Sequence, residues 1–262
     1  MRLVIKVGGT ALEDISILSK CARAVVELVN DGHSAAVVHG GGAALTRMLR
    51  RIGKESAFVN GLRRTDAETR DAALMVLAGI INKKLVAAIS ACGKPAMGIC
   101  GGDGMSFRAR KKQTNGSDLG YVGEIAAVEC RWLEAIWAQG GIPVIASIAL
   151  GADHEYYNVN ADEMAAACAI ACQANALIFL TDVAGVKNAE GTVIRWLDLK
   201  QIPTLVKEAV VAGGMLPKLE ACGHALQHGV RRVRILPAAE AHILPEFYFS
   251  KLDSGTEVVT HG

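Results

Sequence analysis

The sequence predicts an α/β fold, with a mainly parallel central sheet, helices on both faces and a β-hairpin arm. Three observations carry this. Short apolar runs such as Leu3–Val7, Ala35–His39, Ile142–Ile148 and Ala176–Thr181 alternate with longer stretches of helical periodicity, the pattern of strands joined by crossover helices. Several of these runs stop at glycines, at Gly8-Gly9, Gly40-Gly41-Gly42 and Gly101-Gly102. Between 105 and 129 the pattern changes to alternating polar and apolar residues around Asn115-Gly116, a hairpin signal.

Taken in order, Leu3–Val7 is the first strand and a helix follows from Asp14 to Asn30, closed by Asp31-Gly32. Ala35–His39 is the second strand, and Ala43–Ile52 a helix. A longer helix is expected from Asp66 to Ala91, with Thr65 or Asp66 able to cap it. Ala96–Cys100 is a strand, the hairpin follows, Trp132–Gln139 is a helix and Ile142–Ile148 a strand. Gly151–Asn158 is turn-rich, Ala161–Cys172 helical and Ala176–Thr181 a buried strand. A loop over Asp182–Gly191, helices near 198–208 and 215–228, a strand at Val230–Leu236 and an extended tail at Thr256–Val259 complete the chain. If there are two lobes, the seam falls near 173–176.

Composition narrows the function classes. At 262 residues, 51% hydrophobic and 21% charged, the chain can bury a large core without metals or disulfides. A net charge of +2 argues against nucleic-acid binding by bulk electrostatics; basic residues cluster at Arg108–Lys112 and Arg231–Arg234, and the first cluster reads sooner as a solvated face than as an anion site. Seven scattered cysteines with no CxxC pair point away from a disulfide framework and toward a reducing cytoplasm. Cys168 and Cys172, four apart among alanines, read as an apolar helix face. The apolar run at the N-terminus is too short for a signal peptide or a membrane span.

Five motifs carry chemistry. Lys6-Val7-Gly8-Gly9 closes the first strand, where open α/β sheets place ligands; its glycines let backbone N–H groups approach an anion while the lysine supplies charge. His39-Gly40-Gly41-Gly42 forms a second cradle at a helix start, with His39 read as a packed or loop-supporting residue. No GxxxxGK[ST] or GxGxxG follows, which disfavours a P-loop enzyme and a dinucleotide-dependent oxidoreductase. In Asn60-Gly61-Leu62-Arg63-Arg64, at most one of the two arginines can clamp a carboxylate bidentately. Asn158-Val159-Asn160-Ala161-Asp162 is either a helix cap, by Asn160 or Asp162, or a polar shelf. Gly213-Gly214-Met215-Leu216-Pro217-Lys218 sets a lysine against the dipole of a helix start.

The order of these motifs, together with Asp118–Gly123, Thr181–Gly185 and Gly255–Val259, resembles the amino-acid kinase family over nearly the whole chain. The resemblance implies an open αβα sandwich whose first lobe, about 1–174, binds an acylated amino acid and supports dimerisation, and whose second lobe, about 175–262, binds ATP. It implies that Lys6 and Lys218 stabilise the transition state and that Asp162 positions both. Gly8 and Gly9 would face phosphates, and Gly41, Gly42, Arg63 and Asn158 would hold the acceptor. Asp182, Val183, Ala184, Gly185, Val186 and Lys187, with Val210, Val211 and Ala212, would contact the nucleotide. Within the family the motifs are most similar to members that phosphorylate the γ-carboxylate of N-acetyl-L-glutamate, with ATP as donor and Mg²⁺ arriving on it, in arginine biosynthesis. N-succinylglutamate, a carrier-linked aminoadipate and a non-catalytic sensor role stay open as alternatives. The further expectations are a cytoplasmic homodimer binding neither nucleic acid nor membrane, with room for a regulatory signalling protein. Because the chain starts almost at the first strand, without the N-terminal helix of arginine-inhibited relatives, insensitivity to arginine is also expected.

Overall fold

A computed structural model describes residues 1–59, 61–114, 118–246 and 254–260. Its strands are β1 (Arg2–Val7), β2 (Ser34–His39), β3 (Phe58–Val59), β4 (Leu62–Arg63), β5 (Ala96–Ile99), β6 (Phe107–Lys111), β7 (Val122–Val128), β8 (Ile142–Ala146), β9 (Ile148–Gly151), β10 (Tyr156–Val159), β11 (Ala176–Thr181), β12 (Trp196–Asp198), β13 (Arg232–Pro237) and β14 (Thr256–Val259). The helices are α1 (Ile15–Asn30), α2 (Gly42–Arg51), α3 (Ala67–Ala73), α4 (Asn82–Ala91), α5 (Arg131–Ala138), α6 (Ala161–Ala171), α7 (Ile202–Lys207) and α8 (Met215–Gln227). A π-helical stretch, Leu74–Ile81, joins α3 to α4.

Eight strands form one open sheet in the order β12-β14-β13-β11-β1-β2-β8-β5. It is parallel except where β14 returns antiparallel to β13. Period-two alternation sorts the strand residues between two cores. Leu3, Ile5 and Val7 of β1 and Ala35 and Val37 of β2 pack with α1, α2 and the helix through α4. Val4, Ala36, Val38, Leu177 and Phe179 pack with α6 and α8 on the other face. Because successive side chains alternate faces, Lys6 emerges on the α6–α8 side and His39 on the α4 side. Three helix starts carry side-chain caps: Asp14 of α1 accepts from Ser16 and Ile17, Asp66 of α3 from Thr69, and Asn160 of α6 from Asp162 and Glu163.

Several expectations need correction. The run Ile142–Ile148 is two strands, because the chain leaves the main sheet after Ala146 and β9 joins a second structure. The 105–129 segment is a hairpin, with β6 antiparallel to β7, but it is no free arm. It closes with β9 and β10 into a four-stranded barrel, which buries Phe107, Ala109 and Val122. Its Asn115-Gly116 turn lies outside the described residues. The turn-rich reading of Gly151–Asn158 missed β10, whose Tyr156-Tyr157 pair favours a strand. The residues before Arg63 form a small hairpin, β3–β4. The helix expected over 198–208 is a 3-10 turn, Leu199–Gln201, followed by the short α7, whose second residue is Pro203.

Cys168 and Cys172 are buried, and all seven cysteines are free thiols. The continuous helix Ala67–Ala91 is long and apolar enough to cross a membrane by length and composition alone, and in this fold 44% of its most apolar window is buried. Met75 and Ile80 stay exposed on its outer side, as do Met97 of the edge strand β5 and Trp132 of α5.

Candidate active site

The carboxyl ends of β1 and β2, the start of α6 and the small barrel enclose a cleft of about 260 Å³. Its walls include Lys6, Gly8, Gly9, Gly40, Gly41, Gly42, Arg63, Asn158 and Asp162. Four motifs far apart in sequence therefore meet in one place. Parallel strand order makes this happen, since β1 and β2 end side by side and α6 packs on β1.

At one side of the cleft lies a buried Lys–Asp–Lys triad. Lys6 Nζ sits 2.8 Å from Asp162 Oδ1. Lys218 Nζ donates to both oxygens, at 3.1 and 3.0 Å. Lys218 also lies 5.0 Å over the Phe179 ring, a cation–π contact. Burial alone would push the Asp162 carboxyl up, but the charges and hydrogen bonds of the two lysines outweigh it and hold the group below the ordinary carboxylate range. Lys218 is pushed down, first by burial and then by the charge of Lys6, with Asp162 opposing. The set carries one net positive charge in a site that excludes most water, where charge acts strongly. Its carboxylate is engaged by both ammonium groups, which leaves Asp162 a poor base.

The glycines are there for space. A Cβ on Gly8 would collide with Lys6 Nζ. Gly41 has φ +155°, and a Cβ there would meet Leu77 Cδ2 at 2.7 Å. Gly9 faces Asp182, whose carboxylate would lie 3.1–3.2 Å from a Cβ on it.

Of the paired arginines, Arg63 is buried and Arg64 exposed. The Arg63 guanidinium donates to Gly42 O at 3.0 Å, to Thr46 Oγ1 at 2.7 Å and to Ser56 Oγ, and it stacks 4.7 Å over Phe58. These partners are all neutral, and among the described residues no carboxylate pairs with its charge, which lines the cleft. Asn158 pairs with Val122 on the neighbouring strand β7 and donates to Thr65 Oγ1 at 3.4 Å. Lys218 stands behind Asp162, outside the cleft wall.

The remaining nucleotide candidates lie elsewhere. Asp182, Val183, Ala184, Gly185, Val186 and Lys187 follow β11, beyond Gly9, and only Asp182 approaches the glycines. Val186 and Val211 share the α6–α8 core, while Val210 and Ala212 flank Val211 ahead of α8. Sequence reasoning missed Ser147, Leu45, Phe58, Leu62, Leu77 and Val122, which also line the cleft. Ser147 had a readable signal: it is the polar residue at the end of a strand adjacent to β2. The apolar wall had none, because its members are scattered over five elements.

The comparisons with known proteins fit this geometry. The sequence matches the amino acid kinase family over residues 1–237. The chain belongs to that family. It is 62% identical over 259 residues to acetylglutamate kinase of Acidobacterium capsulatum and 54% identical over 259 residues to that of Koribacter versatilis, covering 99% of both chains in each pair. The crystal structure of smu.665 from Streptococcus mutans superposes with a TM-score of 0.84 at 26% identity, covering 99% of this chain and 98% of that one. As an amino acid kinase, the chain carries its lysine triad and both glycine turns within the matched span.

Proposed function

We propose that this amino acid kinase transfers the γ-phosphoryl group of ATP to the γ-carboxylate of N-acetyl-L-glutamate, giving N-acetylglutamyl 5-phosphate, the second step of arginine biosynthesis. The observation that carries the reading is the Lys6–Asp162–Lys218 triad beside a glycine-walled cleft. The names of the relatives at 62% and 54% identity support the same substrate.

The chemistry follows from charge. A glutamate side chain, with an ordinary pKa of about 4.3, is ionised near neutrality, so it can attack without a general base. A bond forms between a γ-carboxylate oxygen and the γ-phosphorus, and the bond from that phosphorus to the β,γ-bridging oxygen breaks. ADP leaves, and no proton has to move. The obstacle is bringing two anions together, and phosphoryl transfer is catalysed mostly by positioning and electrostatics. Arg63 and Asn158 hold the acceptor, with Gly41 and Gly42 supplying backbone contacts. Lys6 and Lys218, held by Asp162, offset the charge that spreads over the transferred group. Gly8 and Gly9 cradle the phosphates, while residues 182–187 and 210–212 take the nucleotide. An Mg²⁺ arriving on ATP would neutralise phosphate charge there. Asp182, beside Gly9, is the carboxylate placed to meet it.

In this reading residues 1–174 bind the acceptor and residues 175–262 bind ATP, in a cytoplasmic enzyme. Two copies would pair through exposed apolar side chains, among them Met75 and Ile80 of the long helix and Met97 and Trp132, whose exposure a partner would remove. The test is ADP release with acetylglutamate, succinylglutamate, acetylaspartate, glutamate and aminoadipate. Acetylglutamate should give the highest kcat/KM. Preference for another acceptor, or no turnover with any, would overturn the assignment.

A further inference from the structure

The glycine turn after β2 is held from behind by a hydrogen-bonded chain that the mechanism above does not use. Asn82, the first residue of α4, and His39, the last of β2, are both fully buried. Asn82 Nδ2 lies 2.9 Å from Val144 O and 3.1 Å from His39 Nε2. His39 Nδ1 lies 2.8 Å from Gly40 O. Lys83 Nζ approaches Asn82 Oδ1 at 3.3 Å.

Two backbone carbonyls remove the ambiguity of the ring and the amide. Val144 O can only accept, so Asn82 must present its NH₂ to it, and the same nitrogen then offers its second hydrogen to His39. Gly40 O can only accept, so His39 must carry its proton on Nδ1. Nε2 is then a bare acceptor, which is what the Asn82 amide requires. The ammonium of Lys83 on Oδ1 polarises the amide and strengthens the chain. Room for it is made on the edge strand, where a Cβ on Gly98 would overlap Asn82 Oδ1.

We propose that Asn82 is a positioning residue for phosphoryl transfer: it sets the tautomer and plane of His39, and His39 in turn pins the Gly40–Gly41 peptide that walls the acceptor cleft. A trans peptide is planar, so fixing the Gly40 carbonyl toward the imidazole fixes the Gly41 N–H on the opposite side. Leu77, about one turn before Asn82, and Ile81, the residue just before it, close off the other exit by packing where a Gly41 side chain would go. The glycine turn thus has freedom to approach an anion closely but little freedom to swing. The ring is also kept neutral: burial pushes the His39 pKa down, to about 4, the bond to Gly40 opposes this, and the charge of Lys6 adds to it. Lys6 and Lys83 are the charged groups that the structure places against this pair.

This inference rests on the proposed acceptor, and the test separates the two. In ¹⁵N-histidine-labelled protein, the His39 signal, assigned by its loss in His39→Gln, should show the Nδ1–H tautomer and stay unchanged between about pH 5.5 and 8, across the range where a free imidazole titrates. Asn82→Ala should release the ring to a tautomer mixture or to ordinary titration. It should also raise KM for acetylglutamate by about tenfold or more, within the range that small misplacements produce, while KM for ATP stays within about twofold. A wild-type ring protonated on Nε2, or an Asn82→Ala enzyme with unchanged KM, overturns the proposal. The wild-type measurement decides even if Asn82→Ala does not fold. A wild-type enzyme inactive on every acceptor would fail the functional reading instead, leaving the tautomer result to judge the Asn82–His39 pair.

Discussion

Replacing Asp162 by asparagine keeps the shape of the triad and removes its charge. Both lysines contact Oδ1, so their nitrogens are at most about 5.9 Å apart with the 2.8 and 3.1 Å contacts end to end, and at an effective dielectric of about 20 they repel by about 3 kcal/mol. The carboxylate now offsets that repulsion, and asparagine cannot. Losing one partner of a buried ion pair lowers stability by about 3–5 kcal/mol. Lys218, already pushed down by burial and Lys6, would lose its opposing influence and shift down further. Asp162→Asn should therefore lower kcat by a factor on the order of 10²–10³, as loss of a preorganised charge commonly does. Its remaining activity should fall off at lower pH than in the wild type as Lys218 deprotonates. Stability provides a second reading with a fixed sign. The folded Asp162 pKa is depressed, so its contribution is full above the unfolded value of about 3.9 and is lost as pH falls below it. The melting-temperature gap between wild type and variant should be constant from about pH 4 up to the range where Lys218 begins to lose its proton, and narrow below about pH 4. Steady-state kinetics and thermal melts across pH make the check. A variant with kcat within threefold of wild type would refute the role of the triad.

Three further outcomes follow from local geometry. Arg63→Lys replaces a planar fork held by Gly42, Thr46 and Ser56 with a point charge, so KM for acetylglutamate should rise about tenfold or more with KM for ATP little changed; an effect confined to ATP would reassign the residue. Gly41→Ala places a methyl 2.7 Å from Leu77 Cδ2 at φ +155° and should destabilise the fold by about 1–3 kcal/mol, seen as a lower denaturation midpoint together with weaker acceptor binding. Glu257 is held ionised: burial pushes its pKa up, but Arg232 and Arg234 hold it down overall. Glu257→Gln should thus destabilise by about 3 kcal/mol at neutral pH, with the gap to wild type shrinking under acid conditions.

Much of this architecture was legible because the chemistry of the site sits at strand ends. Lys6 and the Gly8-Gly9 pair follow an uninterrupted apolar strand, and the same holds for His39 and its glycines, so a parallel sheet had to bring their ends together. Asp162 was ambiguous in the sequence, since a carboxylate two residues past Asn160 reads equally well as a cap. Only the packing of α6 against α8 shows that Asn160 does the capping and Asp162 faces two lysines. The small barrel was not legible, because β9 continues the apolar character of β8, and the one polar residue between them, Ser147, marks a strand end without showing that the chain changes sheet there. The β3–β4 hairpin was too short for periodicity to register. Asn82 was invisible for a different reason: inside the helix expected over Asp66–Ala91, its neighbours Lys83 and Lys84 look like a solvated face, whereas its amide is spent on a strand carbonyl and an imidazole.

The wide helical stretch between α3 and α4 carries a geometric consequence. Thr69, Ala73, Leu77, Ile81, Leu85 and Ile89 recur every fourth residue and are all buried. On an α-helix a four-residue step overshoots a full turn by about 40°, so five such steps would carry Ile89 about 200° round from Thr69, onto the opposite side. The under-wound turns of Leu74–Ile81 take up that drift, which lets one straight stripe run beneath α1, α2 and the sheet. This stretch therefore acts as a phase corrector. Rewinding it to regular α geometry without changing its length would leave Thr69 in place and rotate Asn82 off the imidazole, so an insertion or deletion here would act as a twist on the acceptor cleft more than as a change in helix length.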